Sequence, residues 1–257
     1  MLCPDLPITK SDDDVVNRGS FAESLAKTIV QYSSPSSLTI GLYGRWGSGK
    51  TSLLNIIFEN VEKIDDSVAI IRFDPWLCSD PRQLVTQFFK QMATAIKVKK
   101  PKAEKVWELI DQYADVFDLT SFLNVRGIAV VPFFRILAKI AKKQAEQRSK
   151  DVQKSKEQIA ARLSKEKLKI VVSIDDIDRL SEEEIIAVFQ LVKSLADFPN
   201  MIYVLAFDYD VVIRALGEVQ HGDGKEYLEK IIQVPFEIPA PSMTDIHEAL
   251  FSKLNAI

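Results

Sequence analysis

Cysteine, histidine and long apolar runs are scarce in this sequence. Its 257 residues include two cysteines and two histidines. Because Cys3 and Cys78 show neither CxxC spacing nor a neighbouring histidine, we expect no disulfide framework and no zinc site, and we favour a reduced, cytoplasmic setting. The N-terminus has an acidic run instead of the basic start and apolar core of a signal peptide, so we expect no secretion. The best membrane candidate, Gly127–Phe134, is far shorter than the roughly 18 apolar residues of a spanning helix.

Neither sign of charge dominates the chain. The formal net charge is −3, with 27% charged and 47% hydrophobic residues. This hydrophobic content allows the chain to bury the core of one α/β domain with an appendage, which excludes a disordered or fibrous protein. The slight acidic excess gives no global reason to expect nucleic-acid binding, and we predict no clear nucleic-acid site.

The most specific motif is the glycine-rich segment Gly44–Thr51, which lies between an apolar run and a helical pattern. Its three glycines allow the backbone to turn with N–H groups pointing inward, and together with the start of the next helix they form an anion cradle. Lys50 adds a positive charge for the β- and γ-phosphates, and Thr51 offers a hydroxyl ligand for Mg²⁺. We therefore predict a P-loop that binds ATP through Gly44, Arg45, Trp46, Gly47, Ser48, Gly49, Lys50, Thr51 and Ser52.

Five apolar runs predict the strands of a sheet. They are nearly continuous, as in parallel strands that are covered by helices on both faces. The first run precedes the P-loop, and this strand–loop–helix setting disfavours the alternative of a glycine-rich turn with a chance Lys-Thr pair. Trp76 follows the second run, and we expect it to pack in the core, with a place on a nucleotide-coupled surface as the alternative. The predicted strands are Leu38–Tyr43, Ser67–Phe73, Leu168–Ile174, Met201–Phe207 and Ile231–Phe236.

Apolar residues at helical spacing, together with capping residues, predict helices around these strands. One helix covers Asp14–Tyr32, and a short one covers about Asp210–Leu216. The segment Lys97–Lys167 lies between two core strands and starts with a run of lysines, so we interpret it as an insertion with a charged helix near Lys142–Lys169. Its basic residues are typical of solvated helix faces, and they also allow a peripheral membrane or partner-docking surface.

Two acidic residues follow the third predicted strand. Hydrolysis at a P-loop needs a carboxylate that holds Mg²⁺ and a group that orients the attacking water. Asp175 fits the first role, so Thr51 and Asp175 are the predicted metal ligands, and Asp176 fits the second role. The alternative is a solvated acidic loop that caps the helix after Ser181, but beside a complete P-loop we favour the catalytic interpretation.

Further charged residues near strand ends are candidates to act on the γ-phosphate. Asp208 ends the fourth strand and is predicted to be catalytic together with Asp176 and Lys50, while capping of the next helix is an equal alternative. Arg214 and Lys230 are the cations best placed to reach a phosphate in the same subunit or across the interface of a homo-oligomer. Solvated or salt-bridged side chains are nevertheless the commoner interpretation for both.

Together these motifs resemble the KAP P-loop NTPases, a branch of the STAND and AAA+-related ATPases that includes a phage-exclusion protein. The resemblance lies in GLYGRWGSGKTSLL, FDPWLCSDPRQLVTQFF, VVSIDDIDRL, and YVLAFDYDVV followed by YLEKIIQVPFEIP. The stretch DDDVVNRGSFAESLAKTI also looks like the N-terminal helix of the family, which in related ATPases lies near the adenine. These segments cover most of residues 12–241.

The resemblance implies an α/β fold of the additional-strand P-loop type, with a mainly parallel five-stranded sheet and helices on both faces. It places the Walker B strand between the P-loop strand and the second strand, with a mostly helical insertion between Walker A and Walker B. It also supports Asp175 and Asp176 as the acidic pair. We expect residues 1–37 to form the N-terminal helix and linker, 38–241 the NTPase core, and 242–257 the start of a truncated helical lid.

The predicted function is a Mg²⁺-dependent, slowly hydrolysing ATPase that acts as a switch or assembly module, with phage exclusion as one setting. The alternative is a scaffold that binds nucleotide with little turnover, and the pair Asp175–Asp176 disfavours it because a pure binder needs no second carboxylate. A small-molecule kinase would need an acceptor pocket and lid arginines that the sequence does not identify. The expected partners are a nucleoside triphosphate and a second copy of the chain or another protein.

Overall fold

A five-stranded sheet forms the centre of the computed structural model, which describes residues 6–78, 81–117, 142–220, 224–247 and 251. Its strands are β1 (Leu38–Tyr43), β2 (Ala69–Phe73), β3 (Ile170–Ile174), β4 (Met201–Phe207) and β5 (Val234–Glu237). All neighbouring strands are parallel, in the order β2-β3-β4-β1-β5.

The strand order is that of the predicted additional-strand fold, which is confirmed. β3 lies between β1 and β2, and β4 is the extra strand inserted beside β1. Leu42 of β1 is in register with Ala206 of β4, and Ile71 of β2 with Val172 of β3. Because the strands are parallel, their carboxyl ends meet at one edge, the edge where ligands bind in open α/β sheets.

Helices cover both faces of this sheet. The α-helices are α1 (Gly19–Gln31), α2 (Lys50–Ile64), α3 (Pro81–Lys99), α4 (Glu104–Phe117), α5 (Lys142–Glu166), α6 (Glu182–Gln190), α7 (Tyr209–Gln220) and α8 (Gly224–Glu229). A π-helical turn, Leu191–Leu195, continues α6, and short 3-10 helices lie at Ser11–Asp13, Pro75–Leu77 and Ile177–Arg179. Residues 243–247 are also helical.

Two hydrophobic cores lie on opposite faces of the sheet, and β4 contributes to both. Ile202 and Val204 pack with residues of α1 and α2, whereas Tyr203 and Phe207 belong to the core formed with α3, α4, α6 and α7. Since side chains alternate across a strand, a strand that is covered on both faces must be apolar at every position. All seven residues of β4 are buried, which explains the unbroken apolar run in the sequence.

The first helix starts five residues later than the sequence pattern indicates. The Asp14 carboxylate accepts hydrogen bonds from the N–H groups of Val16 and Arg18. Asn17 has a left-handed backbone, with φ of 55°. These local bonds compete with helical hydrogen bonds, so α1 begins at Gly19 and Arg18 lies just outside it.

The described parts of the predicted insertion are mostly helical. α4 packs into the larger core, where the ring centroid of Tyr113 is 4.8 Å from that of Phe89. The ammonium group of Lys97 lies 4.6 Å over the Trp107 ring, a contact typical of a packed surface lysine. The segment Gly127–Phe134 lies outside the described residues. Among the helices that are described, none has the length and apolar character required to span a membrane.

Candidate functional site

The phosphate loop connects β1 to α2, and at both of its ends a glycine lies against neighbouring side chains. A Cβ atom on Gly44 would lie 2.3 Å from Ser48 Oγ. Gly49 has a left-handed φ of 82°, and a Cβ there would lie 2.7 Å from a guanidinium nitrogen of Arg18. The loop leads directly into the N-terminus of a 15-residue helix, the end of a helix that attracts anions.

One buried polar atom in this loop fits an anionic ligand. Ser48 Oγ is buried, and no described residue forms a hydrogen bond with it. Buried hydroxyl groups are rarely left without a partner, and a phosphate oxygen would supply one. Of the other predicted binding residues, Arg45 and Trp46 are exposed, while Ser52 Oγ accepts a hydrogen bond from the Ile8 N–H group at 3.3 Å.

The ammonium group of Lys50 is buried beneath the loop. Its side chain is 6% exposed and lies 3.8 Å from a carboxylate oxygen of Asp178. The Nζ atom donates hydrogen bonds to the main-chain oxygens of Gly44 at 3.0 Å and Arg45 at 3.4 Å. A buried charge requires partners of this kind, and an entering phosphate would compete with them for the ammonium group.

A short hydrogen bond joins the loop side of the site to the end of β3. Thr51 Oγ1 donates to Asp175 Oδ2 at 2.6 Å. Hydroxyl and carboxylate oxygens suit Mg²⁺, which in nucleotide sites takes few protein ligands and keeps several waters. Within the described ranges, no group of three or more His, Cys, Asp or Glu side chains forms a metal site by itself. A magnesium ion here would therefore take its other ligands from phosphate and water.

The carboxyl groups after β3 have raised pKa values. Burial raises the pKa of Asp175 above its ordinary value, against the opposing effects of the Thr51 hydroxyl, the Asp176 N–H and Lys50. Burial is also the largest cause of the raised pKa of Asp176, the Asp175 carboxylate adds to it, and Arg179 opposes both. The protein thus crowds acidic groups at one strand end, where a bound cation would relieve their repulsion.

Asp176 is linked to the phosphate loop through one arginine. Its backbone is left-handed, with φ of 54°, a conformation that aspartate and asparagine tolerate better than most residues. Its Oδ1 atom lies 3.0 Å from Arg179 Nε, and the Arg179 guanidinium lies 4.2 Å over the ring of Trp46. Arg179 is absent from the set of site residues predicted from sequence.

Asp178 is a second residue that the sequence motifs did not single out. Its side chain is buried beside Lys50, and it accepts a hydrogen bond from the Asp208 N–H group at 3.2 Å. It therefore connects the loop lysine to the end of β4. The signal in the sequence was the third acidic residue of the segment Asp175–Asp178.

Asp208 lies at the end of β4, as predicted, and its side chain caps α7. The carboxylate accepts hydrogen bonds from the N–H groups of Asp210 at 3.1 Å and Val211 at 3.5 Å. This is the capping role that was the alternative interpretation. Since its own N–H group contacts Asp178, the residue also borders the site, and its catalytic role stays a prediction.

The two other predicted cations are engaged elsewhere. Arg214 is exposed and its Nε atom donates to the Asp210 main-chain oxygen at 3.2 Å, while Lys230 pairs with Glu226 at 2.8 Å.

The expectation that Trp76 packs in the core is wrong, because Trp76 is 60% exposed. The reason is local, because the main-chain N–H group of Trp76 donates a hydrogen bond to the Asp74 carboxylate in a 3-10 turn at the surface.

Arg18 is a third residue that the motifs did not single out, and it holds the phosphate loop through a hydrogen bond to a main-chain oxygen. It is 7% exposed, and its guanidinium donates to the main-chain oxygens of Ser48 at 2.7 Å and Pro239 at 2.9 Å. Burial lowers its pKa, and the Asp14 carboxylate opposes this effect. Its partners are main-chain atoms 30 and 221 residues away, so no side-chain pattern in the sequence indicates them.

The sequence matches the KAP family P-loop domain over residues 18–257. It is also similar to the Phage T7 exclusion protein of Escherichia coli (strain K12), with 29% identity over 283 aligned positions that cover 98% of this chain and 38% of that protein. The chain thus spans well under half the length of this relative. Among solved structures, it is similar to the Aeropyrum pernix ORC2 protein in its ADPNP-ADP complexes (TM-score 0.44, 14% identity, 93% of this chain and 52% of the other). It is likewise similar to Cdc6p from Pyrobaculum aerophilum (TM-score 0.49, 12% identity, 99% and 52%).

Proposed function

The chain belongs to the KAP family of P-loop domains, and on that premise we propose that it binds ATP with Mg²⁺ and hydrolyses it slowly, as a nucleotide-dependent switch or assembly module. The observation that carries the proposal is the 2.6 Å hydrogen bond between Thr51 and Asp175. It brings a hydroxyl and a carboxylate together beside a glycine-rich loop and a buried lysine. This donor set suits a metal-bound triphosphate better than an uncharged ligand.

Each residue has a distinct role in this proposal. The phosphate loop and Lys50 bind the β- and γ-phosphates, and Thr51 with Asp175 holds the metal, which when bound neutralises charge on the phosphates. Asp176 orients the attacking water. Asp208, at the end of β4, borders the same space and responds to the γ-phosphate.

The contacts of the acidic residues favour a low rate. Asp176 is paired with Arg179 at 3.0 Å, and the Asp208 carboxylate is occupied as a helix cap. Both carboxylates have to exchange partners before they act on water or phosphate. The same contacts support a second candidate function, a scaffold that binds nucleotide with little turnover.

Turnover of ATP and GTP, measured for the wild type and Asp176→Asn, tests the first function against the second. We expect Asp176→Asn to bind Mg-ATP normally and to hydrolyse it about a hundredfold more slowly, because the amide keeps the shape of the side chain but removes the carboxylate that orients the water. Asp175→Asn is the matched variant, and it should instead weaken the dependence on Mg²⁺. Equal, near-zero turnover in the wild type and Asp176→Asn, with binding intact, would identify a scaffold.

We also propose that this activity serves phage exclusion. The support is the similarity to the Phage T7 exclusion protein along 98% of the chain. Plating efficiency of a phage panel that includes T7 should fall on cells that produce the wild type and recover on cells that produce Lys50→Ala at equal levels. Equal plating on both strains would reject this role.

The remaining proposal concerns assembly with a second copy. Arg214 and Lys230 have no described contact with the phosphate loop of their own chain, so a role for either would be in a neighbouring subunit. Specific activity should then rise with protein concentration, and mixing Lys50→Ala with Arg214→Ala or Lys230→Ala subunits should restore part of it. A flat concentration profile without rescue would leave a self-contained monomer.

A further inference from the structure

The guanidinium group of Arg179 lies between two parts of the site that belong to non-adjacent strands. On one side, its Nε atom is 3.0 Å from Asp176 Oδ1 in the turn after β3. On the other side, it lies 4.2 Å over the ring of Trp46, in the loop after β1. Because β4 lies between β1 and β3, Arg179 links two loops whose strands are separated by a third strand.

The two contacts use different parts of the guanidinium group. Stacking on an aromatic ring uses the flat face of the group, whereas hydrogen bonds to an anion use the N–H groups along its edge. A guanidinium that stays on the indole can therefore exchange one anionic partner for another. Its N–H edge matches a phosphate as well as a carboxylate.

The exposure of both side chains allows this exchange, because neither Arg179 nor Trp46 is buried in the core. The Arg179 side chain is 41% exposed, and Trp46 is 69% exposed. Trp46 lies three residues before Gly49, in the loop that would surround the phosphates. A triphosphate in that loop brings an anion of higher charge than a carboxylate close to the same guanidinium group.

We propose that Arg179 senses the terminal phosphate by exchange: without nucleotide it binds Asp176, and with a triphosphate in the loop it binds the γ-phosphate and releases Asp176, while Trp46 holds the guanidinium at the loop. The exchange rests on the proposed function for the identity of the ligand. It adds a criterion by which the site distinguishes triphosphate from diphosphate, because a diphosphate leaves Arg179 on Asp176.

Fluorescence of Trp46 measures this exchange without any need for turnover. The chain has three tryptophans, so the full-length chain with Trp76→Phe and Trp107→Phe reports Trp46 alone. We expect a non-hydrolysable ATP analogue to change the Trp46 emission more than ADP does, each at saturation with Mg²⁺. Arg179→Gln should abolish this difference, and Arg179→Lys should restore part of it because the charge is kept.

Affinity supplies the second measurement. Arg179→Gln should weaken binding of the triphosphate analogue about tenfold, the loss expected for one charge-assisted hydrogen bond, and should change ADP binding less than about twofold. Trp46→Ala should reproduce part of this selective loss, whereas Trp46→Phe, which keeps an aromatic face, should not. A merely structural role for Arg179 would weaken the binding of both nucleotides equally.

The outcomes separate this inference from the proposed hydrolysis. Triphosphate-selective fluorescence and affinity in a wild type that does not turn over ATP would support the exchange and reject hydrolysis. Turnover in the wild type, with an emission difference that survives in Arg179→Gln, would reject the exchange alone. Failure of the wild type to bind either nucleotide would overturn both.

Discussion

The phosphate loop and the acidic turn after β3 lie on opposite sides of the end of β4, and they are built by different means. The loop depends on main-chain geometry, since Gly47 and Gly49 have left-handed φ values of 76° and 82° that glycine adopts without strain. The acidic turn depends on side-chain charge, since Asp175 and Asp176 lie next to each other with raised pKa values. A main-chain site binds whatever anion fits its shape, whereas a cluster of charges changes its contacts when the ligand charge changes.

The two regions also differ in how they are held. Lys50 and Arg18 donate hydrogen bonds to main-chain oxygens of the loop, and both side chains are buried. In the turn, the contact between Asp176 and Arg179 is partly exposed. We therefore expect substitutions in the loop to affect binding and stability, and substitutions in the turn to affect selectivity, rate and pH dependence.

The largest effect is expected for Lys50→Ala. Removal of the ammonium group leaves the phosphate charge uncompensated, so triphosphate affinity should fall by at least about a hundredfold. The thermal stabilisation by saturating Mg-ATP should disappear from the melting curve. Lys27→Ala, which removes an exposed lysine paired with Glu23, is the control. A full melting shift in Lys50→Ala would contradict the assignment of the loop.

Arg18→Met tests whether the hydrogen bonds of Arg18 stabilise the loop. The substitution keeps the aliphatic bulk but leaves two partly buried main-chain oxygens without their donors, which should cost about 2–3 kcal/mol of unfolding free energy and about 4–10 °C in melting temperature. Nucleotide affinity should fall as well. Arg214→Met, at an exposed position, should change the melting temperature by about 1 °C or less. Identical melting of the two variants would show that the contacts of Arg18 contribute nothing.

Asp178→Asn addresses the link between the two regions. The amide oxygen can still accept the Asp208 N–H group, while the negative charge 3.8 Å from Lys50 is lost. Because that carboxylate competes with phosphate for the ammonium group, triphosphate affinity should rise about three- to tenfold. The nucleotide-free protein should melt slightly lower. Calorimetric titration and melting curves measure the two opposite changes, and weaker binding would disprove the competition.

The smallest effect concerns pH. Folding raises the pKa of the Asp176 carboxyl group, so this group stabilises the protein fully at pH values below its ordinary pKa of 3.8. The stabilisation is lost as the pH rises through the raised pKa. The asparagine side chain of the Asp176→Asn variant cannot ionise, and asparagine tolerates a left-handed backbone. At pH 7 the nucleotide-free variant should therefore melt about 1–2 °C above the wild type. The difference should shrink as pH falls toward about 4. A difference that is constant with pH would assign the effect to packing.

The central strands β1, β3 and β4 could be predicted because burial on both faces strongly favours apolar residues. The run Met201–Phe207 coincides with β4. The last strand was predicted at Ile231–Phe236 but spans Val234–Glu237. Ile231 and Ile232 are buried, and their N–H groups bond to the Leu228 oxygen in the turn after α8. An apolar turn that enters the core has the same composition as a strand, so only its hydrogen bonds distinguish the two.

The site was predictable where one local motif contains its own geometry. Lys50 and Thr51 lie in a continuous loop-to-helix motif, and Asp175 lies next to Thr51 because both follow strands of one parallel sheet. Arg18 and Arg179 were not predictable in the same way. Arg18 contacts two main-chain oxygens, and Arg179 contacts an indole ring. These partners are distant in the sequence, so local sequence patterns do not indicate them.

The contacts of Arg18 also determine when the site can be completed during synthesis. Arg18 and Ser48 are made early, but the Pro239 oxygen, which lies 221 residues after Arg18, joins them much later. β5, which pairs Phe236 with Leu42 beside the loop, is equally late. Contacts of such long sequence separation form late in folding. A ribosome-bound chain that has not yet released β5 therefore lacks one of the two main-chain partners of Arg18 and the strand beside β1, and we expect it to bind nucleotide more weakly than the folded domain does.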